Sequence, residues 1–184
     1  MKNPFLIGAS IYLRPLERSD APMVQTWIND PEVARTLTRY RPVNLQNEEE
    51  FIDKLTHGED TLPLVIVVKE TDRPIGVMGL HQIDFKNRHA CFGILLGEKE
   101  EWVKGYGTEA TSLIVRHAFE TLNLNRVWLY VHEYNQRGVR AYEKAGFRLE
   151  GRLRQDVFRG GRYWDTLVMG VLRDEWRAAP RETG

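Results

Sequence analysis

The order of apolar and polar residues along this chain predicts alternating strands and helices. Strict alternation predicts half-buried strands, and apolar residues spaced three or four apart predict amphipathic helices. The segments with the strand pattern are 10–16, 62–69, 74–84, 89–96, 127–131, 147–159 and 162–172. The segments with the helix pattern are 20–29, 31–37, 45–57, 107–122 and 135–145. Together they predict a mixed α/β domain with about seven strands.

Turn signals between these segments predict how the strands pair. Thr71-Asp72-Arg73-Pro74 and Lys86-Asn87-Arg88 join three strands into an antiparallel meander, and Gly160-Gly161 forms a hairpin turn. One long helix separates strands 89–96 and 127–131, which predicts a βαβ unit and hence a parallel pair. Because the second of these strands is apolar on both faces, we expect it near the centre of the sheet.

The segment from Trp102 to Ala110, with the sequence Trp-Val-Lys-Gly-Tyr-Gly-Thr-Glu-Ala, predicts a site for an anion. Its two glycines let backbone N–H groups face a ligand, and the helix that starts there adds unpaired donors and a partial positive charge. A phosphate or pyrophosphate suits such a cradle. The segment also fits the G-x-G-x-x-A dinucleotide fingerprint, but residues 97–103 make the preceding loop too long for that fold. A plain glycine-rich helix start is the alternative.

Composition narrows the class of protein. The chain has 184 residues with 26 basic and 26 acidic side chains, so nothing indicates a nucleic-acid partner or an anionic membrane surface. Its apolar runs are too short to span a bilayer, and residues 1–8 are too short and polar for a signal peptide. The single cysteine, Cys91, excludes an internal disulfide and a multi-cysteine metal site. We therefore expect a cytoplasmic enzyme or binding protein.

A second motif, residues 135–147, indicates the family of the protein. An Asn at the end of a central strand, followed by a helix with Tyr142 four residues before Gly-Phe, resembles the GNAT N-acetyltransferases. Their glycine-loop signature, Gln/Arg-x-x-Gly-x-Gly/Ala, is matched by Gly105 and Gly107. Trp102 replaces the usual Gln or Arg, which resembles the branch of ribosomal-protein N-acetyltransferases of the RimJ/RimL type. Residues 11–16 resemble the opening strand of that branch, and residues 151–154 and 161–165 resemble its closing hairpin.

The resemblance implies a fold, a cosubstrate and a place for it. A single N-acetyltransferase domain would cover residues 1–184, with a polar, frayed tail at 173–184, and its mixed sheet would be splayed between the two parallel strands. Acetyl-CoA would enter the splay as cosubstrate, and no metal is implied. The cofactor-binding residues implied in this way are Leu95, Leu96 and Gly97 for the pantetheine arm, Trp102, Val103, Lys104, Gly105, Tyr106, Gly107 and Thr108 for the pyrophosphate, and Asn135.

Acetyl transfer to an amine needs a neutral amine, a polarised carbonyl and a stabilised leaving thiolate. The resemblance implies Tyr142 as the group that faces the sulfur. Because a phenol titrates about 1.5 pH units above a thiol, we expect Tyr142 to donate a hydrogen bond rather than to transfer its proton fully. A backbone N–H near Leu96 would polarise the carbonyl. Tyr142 as plain packing between helix and sheet, and Asn135 as a plain helix cap, are the alternatives.

The general base has several candidates. His81 lies on the strand before the splay and has a suitable pKa, and it is the base we predict. Asp84, Glu133 and a water-mediated route are alternatives, and a partly buried structural histidine is the other interpretation of His81. We expect Cys91 to be a small buried residue rather than a nucleophile, since direct attack in a ternary complex needs no covalent intermediate.

The acceptor is an amine that the sequence does not name. Five aromatic residues are candidates for the wall of its pocket: Trp27, Tyr40, Phe85, Tyr163 and Trp164. Polyamine acetyltransferases of this branch tend to be acid-lined, and Gly79 and Gln82 on the comparable strand weaken that choice. A protein N-terminus, a small amine metabolite and an amino-sugar stay open, as does a homodimer. Two rivals remain: a non-catalytic acyl-CoA sensor, and a nucleotide-dependent oxidoreductase with Glu133 on the ribose.

Overall fold

The computed structural model describes residues 1–178, which form one mixed sheet with helices on both faces. The strands are β1 Leu6–Ile7, β2 Ile11–Pro15, β3 Leu62–Val68, β4 Arg73–Asp84, β5 His89–Leu96, β6 Arg126–His132, β7 Arg148–Arg159 and β8 Arg162–Leu172. The helices are α1 Ala21–Asn29, α2 Pro31–Ala34, α3 Leu45–His57, α4 Tyr106–Glu120, α5 Gln136–Lys144 and α6 Arg173–Ala178, with short 3-10 turns at Arg18–Asp20 and Lys99–Glu101.

The order of the strands across the sheet is β1-β2-β3-β4-β5-β6-β8-β7. Strands β1 to β5 pair antiparallel, as the predicted turns require. Helix α4 carries the chain across to β6, which pairs parallel with β5, and the C-terminal hairpin then inserts β8 beside β6. The predicted mixed sheet with a parallel central pair is confirmed.

Alternate residues of β3 explain why helices cover both faces. Leu64 and Ile66 enter a core cluster with α4, whereas Val65 and Val67 enter a second cluster with α1 and α3. Successive side chains of a strand point to opposite faces, so a run of apolar residues needs cover on both sides. The sheet is therefore the middle layer between α4 and α5 on one face and α1 and α3 on the other.

Four details differ from the prediction. The two-residue strand β1 adds an eighth strand, and Asn44 rather than Asn47 caps α3, its side chain accepting from the N–H of Asn47. Strand β6 is buried on one face only, since Tyr130 is 54% exposed. The predicted frayed tail is wrong for its first part, because α6 forms there and the ring of Trp176 lies 5.5 Å from that of Phe119. Residues 179–184 lie outside the described residues.

One arginine from the C-terminal hairpin holds the irregular segment that precedes α3. The guanidinium of Arg159 donates to the carbonyl oxygens of Ala34, Leu37 and Arg39 at 3.1, 3.0 and 3.4 Å. These bonds join residues more than a hundred positions apart and fix the loop that follows α2.

None of the helices within residues 1–178 combines the length and the apolar character that crossing a bilayer requires.

Candidate active site

The predicted splay lies between β5 and β6. These strands pair at three positions only, His89 with Arg126, Ala90 with Val127 and Cys91 with Trp128. Beyond Cys91, β5 stays paired with β4 and β6 stays paired with β8, so the two strands diverge. One edge of the outer half of β5 thus has no neighbouring strand, and its backbone groups face a gap that opens into two cavities.

The smaller cavity, which we call the cradle cavity, has a volume of about 210 Å³. It is lined by Thr36, Ile94, Leu95, Leu96, Val103, Gly105, Gly107, Thr108, Asn135, Arg137, Gly138, Arg140, Ala141, Tyr142 and Lys144. Gly105 precedes α4 at φ +90°, a left-handed conformation that favours glycine. Val103 has φ +63°, although a β-branched residue rarely adopts it, and such strain is typical of ligand-binding loops. The first N–H groups of α4 have no acceptor within the helix.

Three cations surround this cavity. Arg137, Arg140 and Lys144 recur at helical spacing and therefore lie on one side of α5. No carboxylate of residues 1–178 forms an ion pair with any of them. The guanidinium of Arg137 lies 3.7 Å from the centre of the Trp102 ring, and burial lowers its pKa. None of the three was predicted as a binding residue from the sequence, although their helical spacing is visible there. With the helix start of α4, they form a positively charged surface that fits a ligand with several phosphates.

Four of the predicted cofactor-binding residues do not line either cavity. The indole N–H of Trp102 donates to the carbonyl of Leu96 at 2.9 Å and ties the loop to β5. The backbone N–H of Gly97 donates to Ile75, and a Cβ at Gly97 would clash with the Trp27 ring. Lys104 is paired with Glu101 on the surface. Tyr106 packs against the core cluster that contains α4. Their physical role here is to hold the loop.

The larger cavity, of about 510 Å³, lies on the other side of the gap. Its lining comes from α1, α3, β3, β4, β5, β6 and α5, and from the loop that Arg159 holds. Five residues line both cavities: Thr36, Ile94, Leu95, Asn135 and Tyr142. The two cavities therefore meet beside the unpaired edge of β5, where Tyr142 lies. A ligand in the cradle cavity has a path to a second ligand in the larger one.

Tyr142 is buried at this junction, and burial raises its pKa to about 12. Its ring packs edge-on against Phe92, with the ring centres 6.1 Å apart. No group within residues 1–178 hydrogen-bonds to its hydroxyl, so the proton remains available to a ligand. Asn135 precedes α5 and caps it, since its side chain accepts from the N–H of Gly138 at 3.1 Å. This cap fixes the first turn of the helix that carries Tyr142.

Two imidazoles line the larger cavity. His81 lies on β4 with its ring against Gly93, and burial lowers its pKa although Asp60 opposes the shift. His132, which was not predicted from the sequence, ends β6, and its Nδ1 lies 3.2 Å from the hydroxyl of Thr166. Burial, with Arg159 nearby, also lowers the pKa of His132. Both rings are consequently neutral at neutral pH and able to accept a proton.

A buried carboxylate also lines this cavity. Glu48, in the first turn of α3, is 1% exposed, and its Oε2 has no hydrogen-bond partner. The nearest cation is Arg39, whose Nη1 lies 3.8 Å from that oxygen. Burial raises the pKa of Glu48, with Arg39 opposing the shift. From the sequence, Glu48 is one of three consecutive acids, and helix periodicity alone does not single it out.

The other predicted acids and the thiol have different surroundings. The Asp84 side chain accepts from Asn87 in the β4–β5 turn. Both carboxylate oxygens of Glu133 are engaged, by Arg152 at 2.8 Å and by the N–H of Asp165 at 3.0 Å. Neither acid lines a cavity, whereas the thiol of Cys91 lines the larger one, and burial raises its pKa to about 11. That thiol is therefore protonated at neutral pH and is a poor nucleophile.

None of the five predicted aromatic wall residues lines either cavity. Trp27 is a core residue whose indole donates to Glu98 at 2.8 Å. Tyr40, Phe85 and Tyr163 are exposed, and Trp164 packs edge-on against Tyr134. The aromatic lining consists instead of Phe51, Phe92, Tyr130 and Tyr142. Among residues 1–178, no group of three or more His, Cys, Asp or Glu side chains is placed to hold a metal ion.

Known proteins share this architecture. Residues 10–148 match the family described as the acetyltransferase (GNAT) domain. The uncharacterized N-acetyltransferase p20 of Bacillus licheniformis is 31% identical over 167 residues, which cover 89% of this chain and 93% of that protein. Spermidine N(1)-acetyltransferase of Escherichia coli K12 is 28% identical over 95% of this chain and 92% of its own.

A solved structure agrees with these relatives. Spermidine N-acetyltransferase of Vibrio cholerae, in complex with CoA and spermine, superposes with a TM-score of 0.84 at 27% identity. The match covers 91% of this chain and 98% of that one. The cradle and its cations fit the same cosubstrate, since they offer N–H donors and unpaired positive charge to a molecule with several phosphates.

Proposed function

Because the chain belongs to the GNAT acetyltransferase family and is an acetyl-CoA-dependent N-acetyltransferase, we propose that it acetylates a primary amine by direct attack within a ternary complex. The observation that carries this proposal is the meeting of two cavities beside Tyr142. One cavity suits a polyphosphate ligand, and the other has an apolar lining with two imidazoles. Both substrates can then be bound at once, and no covalent intermediate is needed.

The cosubstrate would lie along the gap. Its phosphates would bind the N–H groups at the start of α4 and the cations of α5. Its pantetheine arm would run along Leu95 and Leu96, where the edge of β5 that faces β6 has no neighbouring strand and offers backbone donors and acceptors. Gly97 would not contribute its N–H, which is bonded to Ile75. In this arrangement the thioester would lie beside Tyr142.

The role proposed for Tyr142 is a hydrogen bond to the leaving sulfur. A phenol with a pKa of about 12 cannot protonate a thiolate whose conjugate acid titrates near ~8.5 without a cost of roughly 5 kcal/mol. A hydrogen bond that strengthens as charge develops on sulfur avoids that cost and still lowers the barrier. The absence of any protein partner for the hydroxyl within residues 1–178 leaves it available for this bond.

We propose His81 as the group that takes a proton from the acceptor ammonium. In this step the neutral imidazole accepts one proton from the ammonium, the free amine attacks the acetyl carbonyl, the C–S bond breaks, and the attacking nitrogen gives its second proton to the departing thiolate. The imidazolium then loses its proton to water. A base must be neutral to act, and burial keeps His81 neutral to lower pH than an exposed histidine. His132 is the second imidazole of the cavity and serves as the direct comparison in any test.

A small amine suits the larger cavity better than a protein N-terminus does. The cavity is covered by α3 and by the loop that Arg159 fixes, which restricts the room for a polypeptide beyond its first residues. The relatives named for spermidine support a small acceptor. Trp102 and the closing hairpin favour the RimJ/RimL branch, whereas the cavity favours small-molecule acceptors.

We further propose that the domain extends beyond residues 10–148 to include the hairpin and α6, since β8 pairs along all of β6 and Trp176 packs on Phe119. A cytoplasmic location and a homodimer remain predictions.

A coupled assay of CoA release over a panel of primary amines tests the activity, with Tyr142→Phe as the inactive control. Thermal unfolding with and without acetyl-CoA is measured in parallel. We expect a rise in Tm with acetyl-CoA and amine-dependent release by the wild type alone. A rise in Tm without release for any amine would favour the acyl-CoA sensor. A nicotinamide dinucleotide that raises Tm when CoA does not would favour the oxidoreductase.

A further inference from the structure

The ring of His81 is held by packing alone, unlike the second imidazole of the larger cavity. No group within residues 1–178 hydrogen-bonds to the His81 ring, whereas Nδ1 of His132 lies 3.2 Å from the hydroxyl of Thr166. A catalytic base is usually oriented by a third group that bonds to it. Because His81 has no such group, its neighbours must fix the direction of its ring.

One of these neighbours is a glycine whose missing side chain leaves the space that the ring fills. A Cβ at Gly93 would lie 2.9 Å from Cε1 of His81 and 3.6 Å from Nε2. Apart from the chain neighbours of Gly93, nothing else in residues 1–178 comes within 4 Å of that position. Gly93 does not have a positive φ, so its backbone does not require glycine. The close approach of the imidazole is therefore what sets Gly93 apart.

The ring of His81 lies toward the open part of the sheet. His81 is opposite Cys91, which still pairs with Trp128 of β6. Gly93 is two residues farther along β5, on the same face of the sheet, where β5 and β6 have already diverged. A ring that lies against Gly93 is thus displaced along β5 toward the gap. The residue opposite Gly93 is Gly79, so this part of the cavity wall consists of backbone.

The two glycines have different explanations. A Cβ at Gly79 would lie 2.6 Å from the carbonyl oxygen of Leu62, which is backbone and cannot move aside. Close packing of β4 on β3 therefore accounts for Gly79. A Cβ at Gly93 would meet only the end of a flexible side chain, so the fold alone does not account for Gly93.

We propose that Gly93 is a positioning residue, whose lack of a side chain lets the imidazole of His81 lie across β5 with its Cε1–Nε2 edge at the gap. The inference rests on the proposed function, in which His81 takes a proton from the acceptor. A side chain at this position would displace the ring from the place where the amine meets the thioester. A base must come within hydrogen-bond reach of the proton that it removes, so a displacement of about 1 Å is enough to slow the reaction.

The test is a double-mutant cycle on CoA release with the wild type, Gly93→Ala, His81→Gln and the double variant. We expect G93A to lower kcat roughly 10- to 100-fold and to leave the Kd for CoA unchanged. In the H81Q background the same change should cost less than about 2-fold, because the ring through which it acts is gone. Gly151→Ala is the matched control, since its Cβ would meet Val168 at an ordinary 3.9 Å, and it should behave as the wild type.

Two kinetic outcomes would overturn the proposal. An equal loss from G93A in both backgrounds would mean that the methyl group obstructs the acceptor itself. Full activity of G93A, when H81Q has lost activity, would mean that the ring needs no space at Gly93. G93A should fold, because its methyl group meets only the ring. If it does not, His81→Ala is added to make room; a double variant that still fails to fold would show that the strand itself requires Gly93, and would also overturn the proposal.

NMR of the imidazole C–H groups separates this proposal from the proposed function. In G93A the resonances of His81 should shift and those of His132 should not, with H81Q and H132Q providing the assignments. Unchanged His81 resonances would overturn the proposal whatever the kinetics. Shifted resonances together with wild-type kcat in both G93A and H81Q would support the placement of the ring and count only against His81 as the base.

Discussion

The cradle cavity and the larger cavity share one wall but are built in different ways. The cradle is made chiefly by two short segments, 103–108 and 135–144, with the end of β5 between them. The lining of the larger cavity comes from seven strands and helices and from the loop after α2. Among residues 1–178, the buried carboxylate in this lining is Glu48, from a helix whose sequence shows three acids in a row.

This difference separates what is common to acetyl-CoA enzymes from what is particular to this one. A ligand that every member shares can be bound by backbone N–H groups and a helix end, which depend on a local pattern. An acceptor that differs between members is recognised by side chains that come together only after folding. Substitutions in each cavity test whether binding of the cosubstrate and use of the acceptor can be changed independently.

Tyr142→Phe should have the largest effect because Tyr142 belongs to both cavities. We expect kcat to fall about 10²- to 10⁴-fold, the range for removal of an acid–base group. The rings of Phe92 and Phe147 still have a phenyl partner, so Tm and the Kd for CoA should barely change. Steady-state kinetics and calorimetry provide the measurement. If Y142F kept the wild-type kcat, Tyr142 would have no role in the mechanism.

The pH profile should depend on the larger cavity only. The proposed mechanism requires neutral His81, whose pKa burial holds below 6.5, so kcat/KM should be constant above that pH and fall as pH decreases through the lowered value. His81→Gln should reduce kcat/KM roughly 10²-fold at neutral pH and abolish this acid limb. His132→Gln is the matched control. If H132Q rather than H81Q loses the limb, the base is His132.

Changes to the cradle cations should affect the cosubstrate alone. Arg137→Gln, Arg140→Gln and Lys144→Gln should each raise the Kd for CoA about 2- to 10-fold, and less at high salt. The Kd for pantetheine, which has no phosphates, should not change. Arg116→Gln, an exposed arginine of α4, is the control. An equal loss for pantetheine would mean that α5 had moved rather than lost charge.

Substitution of Trp102 should have the smallest effect. Trp102→Phe keeps a ring under Arg137 and removes the indole N–H that bonds to Leu96, so the free energy of unfolding should fall by about 1 kcal/mol. Trp102→Gln removes the ring as well and should also weaken CoA binding slightly. Chemical denaturation and calorimetry measure the two quantities. A stable W102F with weak CoA binding would place Trp102 on the ligand after all.

The sequence predicted the fold well because each element carries its own periodic pattern. Residues 89–96 and 162–172 have the predicted bounds, and the splay that the family resemblance implied lies at the predicted parallel pair. Tyr142 and Asn135 could be proposed from the sequence because the motif that contains them is local. Gly97 and Lys104 were assigned to the cofactor by their place in the loop, and only the tertiary contacts show that they are engaged elsewhere.

The acceptor side could not be predicted in the same way. Glu48 is distinguished by its burial and by an Oε2 that has no hydrogen-bond partner, which is a property of the packed molecule rather than of the sequence around it. Its neighbours Glu49 and Glu50 have the same residue type and a more exposed position. The predicted burial of β6 on both faces was wrong for a related reason. Tyr130 continues the apolar pattern of this strand, but its ring lines a cavity and is not covered by a second layer. Pattern alone does not separate these two causes.

The three bonds from Arg159 have a consequence for biosynthesis. The loop that they fix covers the acceptor end of the molecule, yet the arginine is incorporated about 120 residues later than the loop. A ribosome-bound chain that has released the first five strands and α4 still lacks these bonds. The loop can therefore be held in this way only after the β7–β8 hairpin has emerged and docked.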